Sequence, residues 1–218
     1  MFHSPVLDIQ NTAAQIAFLR SKRLRKDFYK RDTLEVLSKC LGKLLVTYID
    51  GELTVGRITE AEAYLGHEDK AAHSYNGRRT ARTAIMFEEG GYSYVFVVHT
   101  HMQFNFVTQE KEIPQAILVR GIEPVIGTDI MQRRRQKDDL LSLGTGPGKL
   151  TKSLGITKNL HYGVDLTTND SLFLADDDFQ VSDKDIMKTT RVGIDYAEDY
   201  REKPWRYYIK NSKFISKK

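Results

Sequence analysis

Two β-rich runs joined by Asp50-Gly51 constrain this chain more than any other feature. Leu44 to Ile49 and Leu53 to Tyr64 are dense in apolar, β-branched and aromatic residues, and an Asp-Gly pair supplies the positive φ that a two-residue hairpin turn needs. An antiparallel hairpin is therefore predicted. Three more runs, Tyr92 to Val98, Phe104 to Thr108 and Ala116 to Ile122, predict a meander, with His99 to Gln103 forming one tip. Arg191 to Ile194 and Trp205 to Ile209 predict closing strands. Helical spacing at Leu34, Leu37 and Leu41 is opened by Asp32, has Glu35 three residues on, and is closed by Gly42. Ile126 to Gln136 is also helical in pattern, and a helix running through Leu154 follows the loop Gly144 to Gly148. Residues 66–91 show neither period cleanly and predict a long functional loop with one short helical turn. Residues 155–190 predict only scattered short strands and turns.

The chain has 218 residues, 40% hydrophobic and 28% charged, which suits one soluble domain. No apolar run is long enough for a membrane-spanning helix, and no secretory pattern opens the chain. Cys40 is the only cysteine, so an internal disulfide is excluded and a reducing cytoplasm is the expected location. Net charge is +4, and its clustering says more than its size. Basic runs occur at Arg20 to Lys26, at Arg78-Arg79 with Arg82, at Arg133-Arg134-Arg135 and through the last eighteen residues, while Asp176-Asp177-Asp178 is acidic. Such clustering favours a polyanionic partner, because Lys and Arg contacts to phosphate release condensed counterions. The alternative for any single run is a solvated surface. Residues 1–31 are expected to form a basic N-terminal helical extension with an apolar face of Ala13, Ala14, Ile16, Ala17 and Leu19. That face suits an anionic surface, its own domain or a second copy. Residues 32–218 then form the main domain.

The chemistry concentrates between residues 57 and 87. Strand alternation puts Ile58, Glu60, Glu62 and Tyr64 on one face, a mixture more natural for a pocket than for a core. A carboxylate beside an aromatic ring, away from bulk water, can act as a general base. Two nearby carboxylates also push their proton affinities apart. Two solvated glutamates on an edge strand are the alternative. His73 and Tyr64 could sandwich a nucleic-acid base, or His73 could be structural. His99 and His101, at i and i+2, could bind metal, or with Met102 could probe a nucleic-acid groove. Gly144 to Lys149 lacks phosphate-loop spacing; backbone amides opening a helix favour phosphate, which makes Lys149 a candidate contact, and the alternative is an ordinary helix start.

Several segments together resemble the alkyladenine (3-methyladenine, or methylpurine) DNA glycosylases. They are Glu60-Ala-Glu-Ala-Tyr-Leu-Gly66, Ala71-Ala-His-Ser74, Ile117-Leu-Val-Arg-Gly-Ile-Glu-Pro124, Gly146-Pro-Gly-Lys-Leu150, Arg191-Val-Gly-Ile194 and Pro204-Trp-Arg206, in the family's order from about residue 28 to 208. The resemblance implies one α+β domain around a curved antiparallel β-sheet with flanking helices and a protruding hairpin that enters DNA. It also implies base flipping and hydrolysis of the N-glycosidic bond by an activated water, with no lyase step, covalent intermediate, metal or other cofactor. By the same resemblance Glu62 is the catalytic glutamate and Arg120 positions the water. Tyr64 and His73 stack on the purine, Asn105 screens it, and Arg78 and Arg82 lie in the DNA-contacting loop. The tip departs from the better-known pattern: His99-Thr100-His101 stands one residue closer to the asparagine, and Phe96 replaces a pocket-wall tyrosine. The expected partner is double-stranded DNA with alkylated or deaminated purines, bound by a monomer associated with the nucleoid through DNA. The expected substrates are 3-methyladenine and 7-methylguanine, with hypoxanthine as a further candidate. The other function classes left open are a non-catalytic nucleic-acid-binding module and a metal-dependent hydrolase built on His99, His101 and Glu62.

Overall fold

The Asp50-Gly51 pair turns as its composition requires, with φ of 52° and 80°. It joins β1 (Leu44–Ile49) to β2 (Glu52–Tyr64) in an antiparallel pair from Ile49↔Glu52 to Leu44↔Arg57. The computed structural model describes residues 4–217, so the first three residues of the 1–31 segment, and Lys218, lie outside it. The fold is mixed α+β, as the resemblance implied. Its other strands are β3 (Ser93–Val98), β4 (His101–Thr108), β5 (Gln115–Ile126), β6 (Leu172–Ala175), β7 (Ile186–Thr189) and β8 (Arg206–Ile209). The sheet runs β3-β4-β5-β2-β1-β6, every described pair antiparallel, and β8 pairs with both β2 and β7. The helices are α1 (Thr12–Ser21), α2 (Lys26–Tyr29), α3 (Thr33–Cys40), α4 (Thr128–Arg135), α5 (Leu140–Gly144), α6 (Pro147–Leu154) and α7 (Lys158–His161).

Local signals explain much of this. Asp32 caps α3 by accepting from the amides of Leu34 and Glu35 at 3.0 and 3.1 Å. Gly42, at φ 87°, lets the chain leave α3 and enter β1. β1 is apolar without alternation because both its faces are covered. Leu45 joins the main core with Val36, Leu37, Phe104, Ile117 and Leu150. Leu44 and Val46 face a second core that contains Val6, Ile16, Leu19 and Phe173. Each such aliphatic side chain contributes roughly 1.5–3 kcal/mol when fully buried. The acidic run is consumed internally: Asp176 meets Lys43, Asp178 meets Lys22, and fully buried Asp177 takes Arg57 in a two-pronged pair at 2.9 and 2.7 Å.

Three expectations are corrected. The tip between β3 and β4 is not five residues long. β4 begins at His101, so only His99 (φ 48°) and Thr100 (φ 111°) cross the turn. Arg191 to Ile194 is a bend rather than a strand, and the Val192 amide, which a ladder would use, donates to Glu62 on β2 instead. Ile58 does not share a face with Glu60 and Glu62. The register of β2 against β5 shifts between Ile58 and Glu60 and again between Glu60 and Ala61. This reverses the alternation: Ile58, Ala61 and Ala63 all enter the main core, and Glu60, Glu62 and Tyr64 turn away from it.

Candidate active site

The same irregularity builds the floor of a pocket. Across from Glu60 and Ala61, β5 carries one residue without a partner, Arg120, between Val119 and Gly121. Its guanidinium reaches both carboxylates, with Nε 3.5 Å from Glu60 and 3.4 Å from Glu62. Glu62 is fully buried. It accepts from the Val192 amide at 2.8 Å, from the Tyr64 hydroxyl at 3.0 Å and from Arg120 Nη1 at 3.4 Å. Burial pushes its carboxyl above the ordinary range, and Glu60 adds a smaller push, against the pull of Arg120, Val192 and Tyr64. Glu60, also fully buried, accepts from Arg206 at 2.8 Å and from the Ser216 amide and hydroxyl at 2.5 and 3.0 Å. The two glutamates are therefore unequal. The donors to Glu60 are Arg206 and Ser216, whereas all three donors to Glu62, from Tyr64, Arg120 and Val192, line the pocket.

Above this floor lies a cavity of about 360 Å³, the size of a small planar ligand. Tyr64, His73, Phe96, Asn105 and Arg120, all predicted site residues, line it together with Tyr94, Gln103, Val192 and Tyr196. β3 presents Tyr94, Phe96 and Val98 by alternation, and β4 presents Gln103 and Asn105 opposite them. The His73 ring meets Phe96 edge-on at 4.6 Å, and its Nδ1 shares a 2.8 Å hydrogen bond with the Tyr94 hydroxyl. Burial, with the charges of Arg82 and Arg78, lowers His73 to about 4, so the ring is neutral at physiological pH. Asn105 is held by its own amide, which donates to the Tyr94 carbonyl at 3.1 Å. The Arg191 guanidinium lies over Tyr64, 4.8 Å from the ring centre, and is itself locked to Asp69 at 2.6 and 2.8 Å.

The loop of residues 66–91 is well tied. Asp69 accepts from the amides of Leu65 and Ala71, Ser74 donates to Pro114, and Thr83 donates to Arg78. Short 3-10 turns occur at Tyr75–Gly77 and Ala84–Phe87, one more than expected. Arg78 and Arg82 are exposed and have no ion-pair partner among the described residues. Other basic runs differ. Arg133 and Arg134 pair with Glu52, Arg20 and Arg23 with Asp170, and Arg79 with Glu112. The hairpin tip is exposed at Val97, Val98, His99 and Thr100, and Met102 packs partly against the main core. His101 is exposed and lies against Gly148, where an added Cβ would come within 2.7 Å of it; Lys149 is exposed one residue on. His101 lies four residues along β4 from Asn105, about 13 Å at strand rise, so it does not join Glu62. Among the described residues no His, Cys, Asp or Glu trio converges as metal ligands, and no helix is long and apolar enough to cross a membrane.

Sequence reasoning missed Tyr94, Gln103, Tyr196 and Ser216. Alternation on β3 and β4 could have found the first two. Nothing local marks Ser216.

A family model described as methylpurine-DNA glycosylase matches residues 27–213. A protein of Desulfitobacterium hafniense (strain Y51) named "Putative 3-methyladenine DNA glycosylase" is 44% identical over 206 residues, 90% of this chain and 100% of that one. A protein of the same name from Clostridium novyi (strain NT) is 42% identical over 206 residues, with the same coverage. A third, from Shouchella clausii (strain KSM-K16), is 42% identical over 198 residues, 90% of this chain and 97% of its own.

Proposed function

The chain belongs to the methylpurine-DNA glycosylase family, and on that footing we propose that it is a DNA glycosylase that flips alkylated purines out of duplex DNA and hydrolyses their N-glycosidic bond. The observation that carries this reading is a buried glutamate, Glu62, hydrogen-bonded to three residues that line an aromatic-walled cavity, Tyr64, Arg120 and Val192. Burial raises the proton affinity of Glu62, which makes it a stronger base toward water. Arg120 and the Tyr64 hydroxyl hold the carboxylate in one orientation. In its ionised form Glu62 takes a proton from water and stabilises positive charge developing on the sugar.

The walls suit the substrate class. A purine alkylated at N3 or N7 is already cationic, so it departs without protonation. Tyr64 offers an electron-rich face to such a cation. Neutral His73 adds a flat ring without adding charge against it. 3-Methyladenine and 7-methylguanine are the primary substrates, hypoxanthine is a further one, and the reaction ends at the abasic site without strand cleavage. Arg78 and Arg82 bind backbone phosphate, and Lys149 at the start of α6 does the same. The β3–β4 tip fills the space left by the flipped nucleotide. His99 and His101 act there as the plug, and exposed Val97 and Val98 form the apolar flank beside it.

The test is incubation with duplexes carrying one defined lesion each, followed by detection of abasic sites. Base release from alkylated purines that is lost in Glu62→Gln, with DNA binding retained, supports the reading. Binding without release in the wild type would make the chain a non-catalytic module.

A further inference from the structure

Beneath the two carboxylates runs a segment the catalytic reading does not use. Phe214 is buried, and its carbonyl accepts from Thr59 Oγ1 at 2.6 Å. The Lys217 carbonyl accepts from Arg206 Nη1 at 2.7 Å. Between these anchors, Ser216 meets both charged partners at once. Its amide and hydroxyl donate to Glu60 at 2.5 and 3.0 Å, and the hydroxyl oxygen accepts from Arg120 Nε and Nη2 at 3.3 and 3.2 Å. The segment can lie this close because residue 121 is glycine: a Cβ there would stand 2.6 Å from the Phe214 carbonyl oxygen.

We propose that residues 214–217 form a strap across the floor of the site and that Ser216 is a positioning residue, holding the Arg120 guanidinium toward Glu62. The proposal rests on the reading of Glu62 as general base. The physical argument is competition for Arg120. Its Nε is 3.4 Å from Glu62, with Nη1 also at 3.4 Å from that carboxylate, but Glu60 stands only 3.5 Å from the same Nε and is within reach of a small rotation. Arg206 and the two Ser216 donors occupy Glu60, which leaves it little lone-pair capacity. Without the Ser216 hydroxyl, Glu60 regains an open acceptor and Arg120 loses the oxygen that fixes its plane. A two-pronged Arg120–Glu60 pair then becomes the better arrangement, and it draws charge away from Glu62.

The test is Ser216→Ala, which keeps the backbone amide, compared with Ser216→Thr, which keeps the hydroxyl. Single-turnover release of 3-methyladenine from duplex DNA should fall about tenfold in Ser216→Ala, the scale of one charge-assisted hydrogen bond, with DNA affinity unchanged. The acid limb of the rate profile should also move to higher pH. Glu62 is faced by Arg120 from β5, by Tyr64 and Glu60 from β2 and by the Val192 amide, and of these Arg120 is the positive charge that favours ionisation. Moving it away makes Glu62 harder to ionise. Ser216→Thr should restore both rate and limb. A folded Ser216→Ala with wild-type rate and limb overturns the proposal. So does a slower enzyme whose limb has not moved and which Thr does not rescue. Glu62→Gln is run in parallel. Full activity there overturns the general-base reading, whereas an inactive Glu62→Gln beside an unaffected Ser216→Ala overturns the strap alone.

Discussion

Tyr64 donates its hydroxyl to Glu62 at 3.0 Å, so an aromatic wall of the cavity and a fully buried carboxylate form one hydrogen-bonded unit. Glu62→Gln keeps the shape and removes the basicity, and base release should fall at least ~10²-fold, the usual scale for a general base. Tyr64→Phe keeps the ring and removes one donor. Its loss should be smaller, about tenfold, with the acid limb moved to higher pH because the Tyr64 bond lowers the Glu62 proton affinity. Near-wild-type release by Glu62→Gln would transfer the role to Glu60.

Folding should be proton-linked through His73. The folded ring titrates at about 4, held down by burial and by Arg82 and Arg78, while an unfolded histidine titrates at about 6.5. Between these values the unfolded chain binds the proton that the folded one refuses. Stability is therefore full above about pH 6.5 and drains away as pH falls toward about 4. His73→Phe should show a smaller drop between pH 7.5 and 5 in urea unfolding. An equal drop in both proteins would remove His73 as the cause.

Asp69 and Arg191 are both fully buried, and Arg191 also lies over Tyr64 and Trp205. Asp69→Asn leaves an uncompensated guanidinium in the interior, and such a loss costs about 3–5 kcal/mol. The urea midpoint should fall accordingly. A change below 1 kcal/mol would mean that water reaches the pair.

Arg78→Ala and Arg82→Ala should each weaken binding to all duplexes alike and lower the salt slope by about one unit. Arg134→Ala is the control, because Arg134 is already paired with Glu52 at 3.0 Å, and its binding slope should not move. If only lesion-bearing DNA senses Arg78 or Arg82, those residues act in the pocket.

At the tip, replacing His99 and His101 with Ala should reduce excision from duplex DNA far more than from single strands, where no stack has to be opened. Val97→Asp should have the same bias, since Val97 is 46% exposed beside the turn and does not line the cavity. Equal losses on both substrates would assign these residues to the pocket, and no loss on either would make the turn a spectator.

What the sequence determined by itself is what short-range physics controls. Asp50-Gly51 had to turn, Asp32 had to cap, and alternation along β3 and β4 had to put Phe96 and Asn105 on a common face, because each outcome depends only on neighbouring backbone torsions and side-chain period. The Glu62–Tyr64 pairing was legible for the same reason, being two residues apart on one strand. Tertiary structure alone decided the rest. The register shifts around Glu60 arise where β2 pairs with both β5 and β8, and they overturned the alternation that would have put Ile58 beside the carboxylates. The two-residue tip follows from pairing Val98 with His101, which requires the whole meander. Arg191 with Asp69, and Ser216 with Glu60, join residues far apart in the chain. Such contacts must overcome loop-closure entropy, and only the completed core around them supplies the free energy to do so.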